Sequence, residues 1–156
     1  MSSQRARANH SLYLAKIVTQ AWRDELEKER IASLTLTQAF LEPIRSHLLA
    51  AYGWFLLATC NAEPPADGTL PHRCDDLQPM PEGRLFPPEI NEFRQLEGGG
   101  WLQSMLSETE VQSTAVRSPG SLAVSVNDSP AIAQVEHWLS ELEGLMNRMG
   151  DSLDEY

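Results

Sequence analysis

Hydrophobic positions recur at helical spacing through most of the chain. The pattern is plainest at the end. Ser129 suits an N-cap and Pro130 the first helical position. Ile132, Val135, Trp138, Leu139, Leu142, Leu145, Met146, Met149 and Leu153 then follow at steps of three and four. They occupy one arc of roughly 140°, with Glu136, His137, Ser140, Glu143, Gly144, Asn147 and Asp151 on the far side. A first helix is predicted from about Ala8 to Ile31, with Leu14, Ile17, Val18, Ala21 and Trp22 facing inward. Its stripe loses register at Glu25, Lys28 and Glu29, so Asp24 to Arg30 is expected to project beyond the core, with Asp24 paired to Lys28. A second helix is predicted from about Leu36 to Asn61, with Thr35 or Thr37 as N-cap. Pro43 predicts a kink or a helix start nearby, and Glu42 and Arg45 mark a wet side. From Leu48 to Cys60 the residues are apolar or small all round, which requires cover on several sides. This is the expected central helix, and Gly53 would let a neighbour come close.

The middle of the chain breaks the rhythm. Seven of the ten prolines fall within residues 62–88, which excludes regular helix and discourages strand pairing. A loop of such length is functional or mobile, and 62–87 is expected to be mobile. Two short helices follow, Pro88 to Glu97 and Trp101 to about Val111, separated by Gly98, Gly99 and Gly100. These glycines read as a cap and hinge, because no phosphate-binding spacing surrounds them. Leu122, Val124 and Val126 alternate within an irregular stretch and predict an extended segment. The fold class is therefore all-α: a single-domain helical bundle over residues 1–156, with three long helices, two short ones and a long proline-rich loop. Trp22, Trp54, Trp101 and Trp138, one per strong helical segment, are expected to join one core.

Composition narrows function more than fold. Of 156 residues 42% are hydrophobic, enough for one core, and the net charge is −10. Residues 1–50 hold seven Lys/Arg and five Asp/Glu, whereas 51–156 hold five and seventeen. So acidic a chain disfavours nucleic acid and anionic membrane as partners. Two cysteines make no disulfide framework, the apolar stretch behind the basic start is interrupted by Lys16 and Arg23, and the longest uncharged run, 46–62, is short for a bilayer. A cytoplasmic protein without a membrane span is expected.

Candidate chemistry is sparse. His47 projects from the second helix near Phe40, Ala51 and Trp54, an apolar face. A histidine there could serve as a tuned base, but it needs an orienting acid, so a satisfied core residue is the simpler expectation. The residues that would bind a ligand in an internal pocket are His47, Tyr52 and Trp54. His72, Cys74, Asp75 and Asp76, with Cys60 upstream, lack a zinc spacing, so no metal and no cofactor are expected. No GxSxG, HExxH or EF-hand pattern occurs.

Leu12-Tyr13 leading to Trp22, His47-Leu48 with Tyr52-Gly53 and Leu57, Trp101-Leu102 with Leu106, and Trp138-Leu139 through Leu142, Leu145 and Arg148 to Leu153 and Tyr156 form an ordered set. In this order the chain resembles a family of short bacterial helical proteins known only as a domain of unknown function. The resemblance leaves out residues 62–86. It implies a helical fold and supplies no catalytic residue. The functional expectation is a non-enzymatic protein–protein interaction module, with a homo-oligomer as one version. The alternative is a small-ligand-binding or enzymatic bundle using His47 in an internal pocket.

Overall fold

The computed structural model describes residues 3–107 and 130–154. Five α-helices carry these residues: α1 (Ser3–Lys28), α2 (Ser33–Thr59), α3 (Glu89–Gly98), α4 (Trp101–Leu106) and α5 (Pro130–Asp154). No strand occurs among the described residues. No helix among them is long and apolar enough to cross a membrane. The extended segment expected around Leu122–Val126 and the N-cap at Ser129 lie outside the described residues.

Helix α2 is the central element. Leu36, Leu41, Ile44, Leu48, Ala51, Tyr52, Phe55 and Leu56 are all buried in one core with residues from every other helix. Pro43 sits within the helix on its exposed side, and Ala39, whose carbonyl loses its helical donor there, is an exposed residue too. The helix begins at Ser33 rather than Leu36, and its N-cap is Ala32 with no side-chain cap, so neither Thr35 nor Thr37 serves. Thr37 instead donates its hydroxyl to the Ser33 carbonyl at 3.1 Å. Arg45 is a second correction: it is buried. Its Nε donates to the Met105 carbonyl at 3.1 Å and its Nη2 to the Leu106 carbonyl at 2.9 Å. A guanidinium placed at the orphan carbonyls of a helix C-terminus satisfies them and meets the negative end of the dipole. That bond ties α4, which ends at Leu106, to α2.

Helix α1 is rotated from its expected setting. Its inward face is built from Ala8, Ser11, Leu12, Ala15, Thr19, Trp22 and Leu26. These residues are mostly small, so the α1 backbone packs close to its neighbours. Tyr13 and Ile17 point to solvent at 60% and 48% exposure. The end of the helix is held, not projecting, because Leu26 is buried. Its surface charges pair differently than expected: Glu25 receives Arg30 at 2.9 Å and Lys28 at 3.3 Å, and Gln20 donates to Asp24. Helix α5 buries Ile132, Val135, Trp138, Leu139, Leu142, Leu145, Met146 and Met149, the whole stripe that its spacing predicts within the described side chains.

The proline-rich segment lies along the molecule and is anchored at several points. The Gln4 amide donates to the Ala62 carbonyl at 3.0 Å. Cys74 is buried at the start of a single 3₁₀ turn, Cys74–Asp76. Leu77, Met80 and Phe86 pack against the core. The close neighbour that Gly53 admits is this segment, not a helix. A Cβ built on Gly53 would stand 2.7 Å from the Pro71 carbonyl oxygen and 3.1 Å from Leu70 Cβ. Replacing a helical glycine by alanine ordinarily stabilises by about 1 kcal/mol. Here the obstacle is backbone, so Gly53→Ala is expected to destabilise by about 1–3 kcal/mol. Gly144→Ala, in α5 with open space around it, is expected to gain up to about 1 kcal/mol. Urea denaturation of the two variants checks the opposite signs.

Candidate functional site

Two depressions stand out among the described residues. The first, about 540 Å³, opens between the C-terminal end of α2 and residues 61–84. Its walls are mixed: Leu57, Ala62, Leu70, Leu77 and Met80 with four prolines alternate with polar residues. The polar residues that line it are Asn61, Glu63, Asp67, Thr69, His72, Asp76, Gln78 and Arg84, and Cys60 belongs to the lining as well. The second, about 560 Å³, follows the seam between α1 and α5. Its charges pair across that seam, Lys16 with Glu143 and Arg23 with Glu136. Exposed pairs of this kind contribute little to stability, and here they occupy the basic groups that line the seam. The first depression is therefore the candidate site.

Its position depends on a latch outside its walls. Glu97, at the end of α3, receives the Tyr52 hydroxyl at 2.5 Å. The same carboxylate accepts the Cys74 backbone N–H, at 3.0 Å and 3.3 Å to its two oxygens. Cys74 Sγ stands 3.9 Å from both the Tyr52 hydroxyl and the Ile90 carbonyl. Tyr52 also meets Phe93 edge-on, at 6.2 Å between ring centroids. One carboxylate thus joins α2, α3 and the proline-rich segment, with two donors that have little other access to water.

Proton chemistry follows from burial. Tyr52 is pushed far above its ordinary value, first by desolvation and then by the Glu97 carboxylate it bonds. Burial, then Glu97, pushes the Cys74 thiol up to about 12. Burial alone pushes Cys60 up to about 11. Thiols so raised hold almost no thiolate near neutrality and are poor nucleophiles. At the cleft, Asp76 is occupied with the backbone N–H groups of His72 and Arg73, at 3.0 Å and 3.2 Å. Asp67 accepts from the Thr69 backbone N–H, which holds it below the usual carboxylate range.

Comparison with known proteins returns no match to a family model, to a curated protein or to a solved structure. The site must be read from its own geometry. Of the three residues expected to bind a ligand, His47 is half-buried on α2 and lines neither depression. Trp54 is half-buried with the Arg7 guanidinium 4.8 Å from its ring centroid. His47 and Trp54 share a face of α2, but Tyr52 lies roughly 140° around the helix from His47 and is taken up in the latch. The structure does not gather the three into one pocket. The cluster weighed as a metal site also separates: His72 and Asp76 line the cleft, Cys74 turns into the core, and Asp75 approaches Arg94 at 4.0 Å. No three His, Cys, Asp or Glu among the described residues are grouped to hold a metal. Sequence reasoning missed Glu97 and the cleft itself.

Proposed function

We propose that the chain is a non-enzymatic protein-interaction module whose cleft beside the proline-rich segment receives a short apolar peptide carrying a basic residue. The carrying observation is the cleft's chemistry: apolar side chains and prolines interspersed with three acids, of which Asp67 and Asp76 are held in place by backbone N–H groups. Its size falls within the roughly 300–1,000 Å³ usual for binding pockets. Glu63, Asp67 and Asp76 outnumber Arg84 at the edge, and the whole chain is acidic, so a basic side chain is favoured on the occupant. Leu85, next to Arg84, is 92% exposed and offers the partner an apolar contact beyond the cleft. The alternative, a ligand-binding or enzymatic bundle using His47, draws no support from either depression. The resemblance to a helical family of unknown function adds no chemistry to this reading.

Selection of a displayed library of short random peptides on the purified chain tests the proposal. Enriched sequences are expected to combine an apolar run with Lys or Arg. Met80→Asp, at a half-buried wall position, is expected to weaken their binding by about tenfold or more; because Met80 also packs against the core the melting temperature falls too, and binding is read at a temperature where circular dichroism shows the variant folded. No enrichment, or binding indifferent to Met80→Asp, would refute it.

A further inference from the structure

Two charged residues that line the cleft, Glu63 and Arg84, are both exposed. No hydrogen bond, ion pair or ring contact engages either side chain among the described residues. The other two acids of the lining differ, because Asp67 accepts the Thr69 N–H and Asp76 accepts those of His72 and Arg73. Arg84 stands apart more clearly. Every Lys and Arg carried on the five helices is engaged with a group of the same chain.

Both free charges leave held backbone. The Ala62 N–H donates to the Leu57 carbonyl at 2.9 Å, and the Ala62 carbonyl accepts from Gln4 at 3.0 Å. Glu63 follows from that pinned point, and Pro64 and Pro65 stiffen the chain after it. Arg84 closes a β-turn: its N–H donates to the Pro81 carbonyl at 3.0 Å, and Gly83 takes the left-handed setting at φ +83. Glu63 and Arg84 do not pair with each other, so a molecule that satisfies both must carry two opposite charges at separate points. Neither charge has to leave a partner within the chain before it meets one on that molecule, so the attraction counts toward binding.

We propose that the cleft reads its occupant by two opposite charges: Glu63 takes a Lys or Arg side chain, and Arg84 takes an Asp or Glu side chain of the same peptide. This rests on the reading of the cleft as a peptide site and adds the acidic residue and the two side chains that select. A guanidinium fits a carboxylate with two parallel hydrogen bonds, which an ammonium cannot do. Leu85, the residue after Arg84, is 92% exposed, so apolar contact continues past Arg84. The occupant therefore runs on beyond this point, and its carboxylate is a side chain and not a chain terminus. Leu57, Leu70, Leu77 and Met80 receive its apolar residues.

The probe is the tightest peptide recovered from the displayed library, synthesised with both termini blocked, and fluorescence anisotropy reads its affinity for the full chain. It is expected to contain an acidic residue as well as Lys or Arg. Glu63→Gln and Arg84→Gln are each expected to weaken it by about two- to fivefold, the range of exposed charge pairs. The circular-dichroism melts should not move, since neither side chain loses a partner. Matched peptides separate recognition from a general effect of charge. With its basic residue replaced by Gln, the peptide should no longer respond to Glu63→Gln but should still respond to Arg84→Gln. With its acidic residue replaced by Gln, the two responses should exchange. Enriched peptides without an acid, equal responses from all peptides, or indifference to either variant would overturn this assignment and leave the cleft a peptide site. So would a peptide that binds only with its C-terminus free. No enrichment at all would remove both.

Discussion

Glu97→Ala is expected to lower the free energy of unfolding by about 2–5 kcal/mol, far more than a half-exposed carboxylate on a short helix ordinarily would. The size comes from what the carboxylate leaves behind. The Tyr52 hydroxyl belongs to a fully buried side chain, and the Cys74 N–H sits at a residue that is 1% exposed. Each loses its acceptor, and an unsatisfied buried donor costs about 1–3 kcal/mol. Tyr52→Phe removes one donor together with its need and leaves Glu97 holding the Cys74 N–H, so it is expected to cost only about 1 kcal/mol. In the Tyr52→Phe background, Glu97→Ala should then cost less than it does alone. Residues that share one acceptor couple in this way, and a double-mutant cycle by urea denaturation measures the difference. The functional consequence is local. Cys74 begins the turn that carries Asp76 and Leu77 into the cleft wall, so amide exchange at Cys74 should rise and peptide binding should fall in Glu97→Ala. A loss below about 0.5 kcal/mol would show that the latch carries no weight.

Why this residue escaped the sequence, while much of the fold did not, has a physical answer. Helix α5 is legible because large apolar residues mark its buried side without interruption. The apolar run of α2 announces a covered helix for the same reason. In α1 the rule that large apolar side chains point inward fails. Close approach to α2 and α5 selects small residues, so Ala8, Ser11, Ala15 and Thr19 are buried and Ile17 is not. Arg45 looked solvated because it lies three residues from Glu42, and only its position beside the end of α4 explains its burial. Gly53 correctly signalled a close neighbour, yet glycine is silent about which one. For Glu97 a signal existed. An acid in the last turn of a helix faces the negative end of the dipole, which disfavours it. Such a placement implies donors from elsewhere in the fold, and these are Tyr52 and Cys74. The cleft had no comparable signal, since its walls come from residues scattered between Leu57 and Arg84 through a segment without periodicity.

Raising the pH from 8 to 11 is expected to cost about 3–6 kcal/mol of stability, a large part of the 5–15 kcal/mol that a domain of this size typically holds. Three buried acids act in the same direction. Cys60 and Cys74 ionise near 9.0 when unfolded, and at about 11 and about 12 when folded. Tyr52 is likewise raised from 10.0, by burial and by Glu97. Below pH 9 both states hold these protons and the native state keeps its full stability. Above pH 9 the unfolded chain releases thiol protons that the folded chain retains, so each unit of pH costs about 1.4 kcal/mol per group still protonated in the fold. Tyr52 joins above pH 10. The loss ends for each group only when the pH passes its folded value. Urea denaturation at pH 8, 9.5 and 11 under reducing conditions should therefore show a progressive fall beginning near 9. Cys60→Ala/Cys74→Ala loses packing at every pH, so its curve starts lower, but its decline should be shallower and begin only near 10. An unfolding free energy that stays level to pH 11, or a double variant whose slope matches the parent, would mean that these thiols are open to water and that the proline-rich segment does not seal the end of α2.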